Sequence, residues 1–134
     1  MKNGIHINKY IRQWLTGSKA VTDLVDKKNI VPLVVSPTEQ PFITFQHGPI
    51  EVDYSKAPDS VVVDKVEVLI AIVAADYEQS IDIAAAVRQA VEYQRYEDED
   101  IYIPVITISE ISETVESDNY IQQILLDFEI QSKK

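Results

Sequence analysis

Apolar positions in the first part of the chain recur at helical spacing. Ile7, Tyr10, Ile11, Trp14 and Leu15 share one face while Lys9, Arg12 and Gln13 fall off it, which predicts an amphipathic helix that Gly17 stops. Ser18 stands where it can cap a short second helix carrying Ala20, Val21, Leu24 and Val25 as its apolar stripe. From Ile30 to Pro41 the pattern breaks. Pro32, Pro37 and Pro41 forbid regular helix while Leu33, Val34 and Val35 still favour burial, so the stretch reads as an extended, packed connection. Phe42 to Gln46 is aromatic and β-branched, as a strand requires. Gly48 and Pro49 then mark a turn or bulge before a continuation through Ile50, Val52 and Tyr54, and residues 55–60, with Pro58, read as an exposed loop.

The longest apolar stretch runs from Val61 to Ala75, with Val66, Val68, Ile70 and Ile72 on one face and Leu69, Ala71 and Val73 on the other. Its second half should be buried on both faces. Asp64, Lys65 and Glu67 give its first half either one wet side or a partner subunit against it. Asp76 opens the main helix, with Gln79 three residues later in a capping-box pattern; Ile83, Ala84, Val87 and Val91 form its inner side, and it should reach about Tyr93. Two strands follow, Ile101 to Ile111 and Tyr120 to Gln131. This order predicts one α+β domain over residues 1–134: a mostly antiparallel sheet, a long helix packed on one face and an N-terminal helical pair.

Composition supports a single core, since 134 residues with 46% apolar and 25% charged side chains match an ordinary globular domain. No apolar run reaches the ~18 residues needed to span a bilayer, and the amino terminus lacks the apolar core of a signal peptide, so neither a membrane partner nor that export route is expected. The absence of cysteine removes disulfides, thiolate metal sites and cysteine nucleophiles. Charge changes the picture most. Twenty-two acidic against 12 basic residues leave −10, which opposes nucleic-acid binding driven by phosphate neutralisation. Residues 1–28 nevertheless hold six basic residues against Asp23 and Asp26, a net of +4, which leaves −14 on the remainder. Two readings stay open: acidic surface that keeps the chain soluble, or basic and acidic parts that meet between copies. On the second, Lys9 and Arg12 contact Glu97, Asp98, Glu99 and Asp100 of a neighbour.

Little chemistry is legible. Only Gly4, Gly17 and Gly48 are present, so no GxGxxG fingerprint exists, and Gly17-Ser18-Lys19 lacks the spacing of a phosphate loop. His6 and His47 have no second histidine at ligand spacing, and no nucleophile elbow appears. The run Glu97 to Asp100 lacks the alternating ligands and central glycine of a calcium loop, so a solvated acidic loop is favoured. Trp14, Tyr93 and Tyr96 are of the type that anchors interfaces, although Trp14 on an apolar stripe also suits the core. No catalytic residue, metal or cofactor is predicted.

The order of elements, the string Pro41-Phe42-Ile43-Thr44-Phe45-Gln46, and the helix from Asp76-Tyr77-Glu78 through Ala84-Ala85-Ala86-Val87-Arg88 together resemble the bacteriophage tail terminator, or tail completion, family of long-tailed phages and prophages. The resemblance implies a non-catalytic homo-oligomer, a hexameric ring in the virion tail that is assembled in the bacterial host cytoplasm. Such a ring caps the head-proximal end of the tail tube, contacts the tail tube protein and the head-tail connector, or stopper, and lets DNA pass without specific binding. Another neck or tail component, or a host-encoded non-catalytic protein-binding domain, are the alternatives.

Overall fold

A computed structural model of the chain describes residues 2–33, 40–54 and 62–133. The elements run α1 (Ile7–Thr16), α2 (Lys19–Thr22), β1 (Ile30–Pro32), β2 (Phe42–His47), β3 (Glu51–Asp53), β4 (Val63–Ala74), α3 (Tyr77–Val91), β5 (Tyr96–Glu97), β6 (Ile101–Ile103), β7 (Ile106–Glu116) and β8 (Asn119–Ser132). This is the predicted order, and the class is α+β. The expectations for Val34, Val35 and Pro37, for the loop 55–60 and for Val61 lie outside the described residues.

β4 and β8 form the spine, matched antiparallel from Val63–Gln131 to Ala74–Tyr120. β2 and β3 pair with successive parts of the other edge of β4, and β6 and β7 do the same on β8. β1 joins β2 in parallel and β5 joins β6, giving the order β1-β2-β4-β8-β6-β5 with β7 also on β8. Strand alternation then sends Val66, Val68, Ile70, Ile72, Ile124, Leu126, Phe128 and Ile130 to one face, where Ile7, Ile11 and Leu15 of α1 and Ile83, Val87 and Val91 of α3 complete the core. The helix α3 starts as its sequence dictates, with Asp76 accepting from the Gln79 amide at 2.9 Å.

Several expectations are corrected. α2 ends at Thr22, and Ser18 at its start makes no side-chain cap bond. Within the connection after Ile30, a short strand pairs with β2, a distant parallel pairing that local pattern does not encode. The segment Ile101 to Ile111 is two strands, because Pro104 interrupts it and Ile106 instead exchanges backbone bonds with Tyr93 and Gln94 after α3. On the second face of β4 only Val63 and Val73, near its two ends, are buried, while Leu69 and Ala71 are half-buried, since no helix covers that face among the described residues. Along α3 the buried side is Ser80, Ile83, Ala86, Val87 and Val91, with Ala84 half-buried.

Asp64 is the least expected residue. It points to the core side and is buried, and its Oδ2 accepts from the Gly4 amide at 2.8 Å, pinning the N-terminal turn Gly4–His6 to the start of β4. A Cβ on Gly4 would stand 2.9 Å from that oxygen and 3.2 Å from Ile50 Cδ1, so glycine is required for the close approach.

Two stability outcomes follow. Ile70→Asp places an unpaired charge at a fully buried position in the middle of β4 and should abolish soluble folding; a native circular-dichroism melt for that variant would remove β4 from the core. Gly4→Ala should lower stability by about 1–3 kcal/mol through overpacking, and a melting temperature equal to wild type would show the Asp64 contact to be loose.

Candidate functional site

The predicted contact residues occupy two sides of one helix. α1 lies across the sheet, turning Tyr10 and Trp14 toward β5, where Trp14 and Tyr10 meet the Tyr96 ring at 5.2 and 5.4 Å between centroids. On its other side the Arg12 guanidinium donates to the carbonyls of Ile30 and Lys27 at 3.1 and 3.3 Å. Arg12 is therefore partly committed to holding β1 in its own chain, whereas Lys9 is exposed and makes no ion pair among the described residues. Within the chain, neither reaches the acidic loop.

That loop is ordered by its own carboxylates. Asp98 accepts from the amides of Asp100 and Ile101 at 2.7 and 2.9 Å and from the Tyr96 hydroxyl at 2.9 Å. Partial burial works against its charge, but the Ile101 and Asp100 amides and the Tyr96 hydroxyl outweigh it, holding Asp98 below the usual carboxylate range. The Tyr96 phenol is correspondingly pushed up to about 12, first by burial and then by its bond to Asp98. Glu97 is bridged by Lys133 at 2.7 Å and Arg95 at 3.1 Å, with Lys133 the main cause of its lowered pKa. Asp100 pairs with Lys2 at 3.4 Å, so the basic N-terminus does reach this loop, through a residue that pattern did not single out. Of the four acids in the loop, Glu99 alone has no partner among the described residues. The Asp-x-Asp-Ile spacing of an Asx turn was the signal for Asp98. Tyr93 is exposed, and Trp14 is half-buried against the core cluster.

Free carboxylates concentrate instead on β7. Its residues Glu110 and Glu116, with Asp118 at the hairpin turn, are exposed and unpaired among the described residues, while Glu113 accepts from Tyr77 and Gln122. A bulge between Ile108 and Glu110 shifts the alternation, so that Ile111, Glu113 and Val115 turn toward α3. There they flank a groove: one part, about 220 Å³, is walled by Ile81, Ala85 and Ile111. The next, about 190 Å³, is walled by Tyr77 and Val115, and both share Gln122 as floor. On the helix-free face, Glu67 and Asp127 are direct cross-strand partners, both exposed.

Nothing among the described residues groups three His, Cys, Asp or Glu side chains for a metal ion. Both histidines are bound locally: Nδ1 of His6 accepts from the Asn3 amide at 3.2 Å, and Nδ1 of His47 lies 2.7 Å from the Gly48 carbonyl. These surfaces offer shape and charge for binding.

Comparison with known proteins gives two findings. The family profile described as tail completion protein gp17 matches residues 9–131. A solved structure described as the virion of a native gene transfer agent (GTA) particle has a chain similar to this one with a TM-score of 0.67 and 16% identity, covering 96% of this chain and 95% of that one, which is a likeness of fold. No curated protein sequence matches.

For Asp98, the depressed carboxyl contributes stability that is full above its unfolded value of about 3.9 and is lost as pH falls through its lower folded value. Asp98→Ala should cost about 1 kcal/mol at pH 7, with the gap to wild type closing in melts as the pH falls through the lowered folded value; a pH-independent gap would assign the effect to packing.

Proposed function

Because the chain belongs to the tail completion protein gp17 family, we propose that it closes into a hexameric ring on the head-proximal end of the tail tube, stops tube growth and presents a docking face to the head-tail connector. The match across nearly the whole chain carries this reading. As a member of that family it is a structural phage tail protein. Its residues act through surfaces and not through an active site.

The geometry supports a ring in two ways. The spine leaves opposite sheet edges at β1 and β7, which are different surfaces; contact between different surfaces is heterologous and generates closed rings when the rotation per copy closes. Neighbours joined edge to edge would turn their helices to one side and their helix-free faces to the other. On that face the opposed Glu67 and Asp127 carboxylates repel each other in the isolated chain. Turned into a lumen, they would repel phosphates within a Debye length of about 8 Å and let DNA slide.

Native mass spectrometry of the full chain, alone and with tail tube protein, should show a six-fold multiple; a monomer under every condition would sink the ring. The wild-type protein should not retard duplex DNA at physiological salt, and Glu67→Lys with Asp127→Lys should raise duplex affinity in anisotropy titrations. Micromolar binding by the wild type would contradict the acidic lumen.

A further inference from the structure

We propose that the groove between α3 and β7 receives a second copy of this chain, specifically its β1 edge with Leu33 and the basic residues Lys9 and Lys27. This deepens the ring reading and rests on it.

On the receiving side, β7 is bonded only to β8, and its outer edge has no strand partner among the described residues. Beside that edge, Val115 is 63% exposed, Ile111 45%, Tyr77 42% and Ile81 41%, an apolar strip in a ribbon that is otherwise polar. Residues 106–123 carry Glu110, Glu113, Glu116 and Asp118 and no lysine or arginine. Those four charges argue against the simplest occupant of a free edge, the same strand of another copy, because antiparallel β7 strands would set carboxylates against carboxylates. A suitable occupant is apolar and basic.

The other edge of the sheet has that character. β1 ends the strand order, and Leu33 directly follows it, 54% exposed and at φ 47°, a left-handed conformation unfavourable for leucine that its amide bond to the Phe45 carbonyl helps to hold. Beside it Arg12 ties α1 to the Lys27 and Ile30 carbonyls, which places α1 next to the turn that carries Lys27, and the exposed Lys9 stands one helical turn before Arg12. With Pro32 unable to donate, β1 supports only a short ladder, so side chains must supply the contact: Leu33 in the groove, Lys9 and Lys27 toward Glu110 and Glu116. The donor and acceptor surfaces lie on opposite sheet edges of one chain, so they cannot meet within it.

The acidic loop Glu97–Asp100 is the weaker acceptor, since Lys2, Arg95 and Lys133 already occupy two of its carboxylates and Asp98 is spent on backbone amides.

The absence of cysteine makes disulfide trapping clean. Full-length Val115→Cys and Leu33→Cys proteins, mixed and oxidised, should form mixed dimers. Glu110→Lys with Glu116→Lys should raise the concentration needed for assembly in low salt by at least about tenfold. It should keep the wild-type melting temperature, and a 1:1 mixture with Lys9→Glu, Lys27→Glu protein should restore assembly. Val115→Cys dimerising with itself would overturn the head-to-tail contact in favour of β7 pairing. Absent mixed dimers and unchanged assembly of the lysine variant, while the wild type still forms rings, would overturn this interface and leave the ring standing. A wild type that stays monomeric with tube protein present would overturn both.

Discussion

The twelve-residue ladder between β4 and β8 is the constraint on which the rest of the molecule depends. Each of these strands has one edge occupied by the other, so every remaining strand must attach to an outer edge, and the helices must cover the single face that the alternating Val, Ile, Leu and Phe side chains make apolar. A one-residue slip would send Ile70 and Ile124 to the helix-free side, and the burial of both rows fixes the register against that. The Asp64 clip belongs to the same scheme, since it ties the N-terminal turn to β4 and so sets where α1 begins to cross the sheet.

What the sequence disclosed tracks how local each determinant is. α3 was legible because its cap, stripe and length lie within sixteen residues, and β4 and β8 because each is long enough for two-residue alternation to stand out. The pairing of β1 with β2 was not, because it joins segments separated by a proline-marked connection and its three residues carry no period. β7 was read as the continuation of the 101–111 segment, and its true extent to Glu116 was hidden by polar residues on both faces, a pattern suited to an edge that solvent or another chain covers. Asp64 looked like a charge on a wet face; only the tertiary approach of Gly4 reveals that it is buried and bound.

The charged surfaces were legible only in part. The uneven charge along the chain marks its basic end, but net charge counts carboxylates that folding has already committed. Asp98 is bound to backbone amides, and Glu97 and Asp100 face lysines of their own chain, whereas Glu110 and Glu116 of β7 make no ion pair among the described residues. A run of like charges invites attention because it is dense. Density also favours neutralisation by the fold, since four adjacent carboxylates repel each other and attract whatever cation the chain can bring near.

For a chain carrying −10, association works against repulsion, and this decides which forces must do which task. Exposed ion pairs contribute only about 0–1 kcal/mol each, too little to hold copies together. Burial of apolar side chains, at roughly 25 cal/mol per Å², is the only term large enough, and the exposed apolar residues of the α3–β7 groove and of the β1 end are among those that can supply it. Charge then selects among the contacts that apolar burial alone would permit. Acidic edge against acidic edge is penalised and acidic against basic is favoured, so at the proposed interface the sign of the residues flanking the groove would select a head-to-tail chain over an isologous pair. A sheet with two unlike edges, one acidic and one basic, is thereby biased toward adding copies in one direction only.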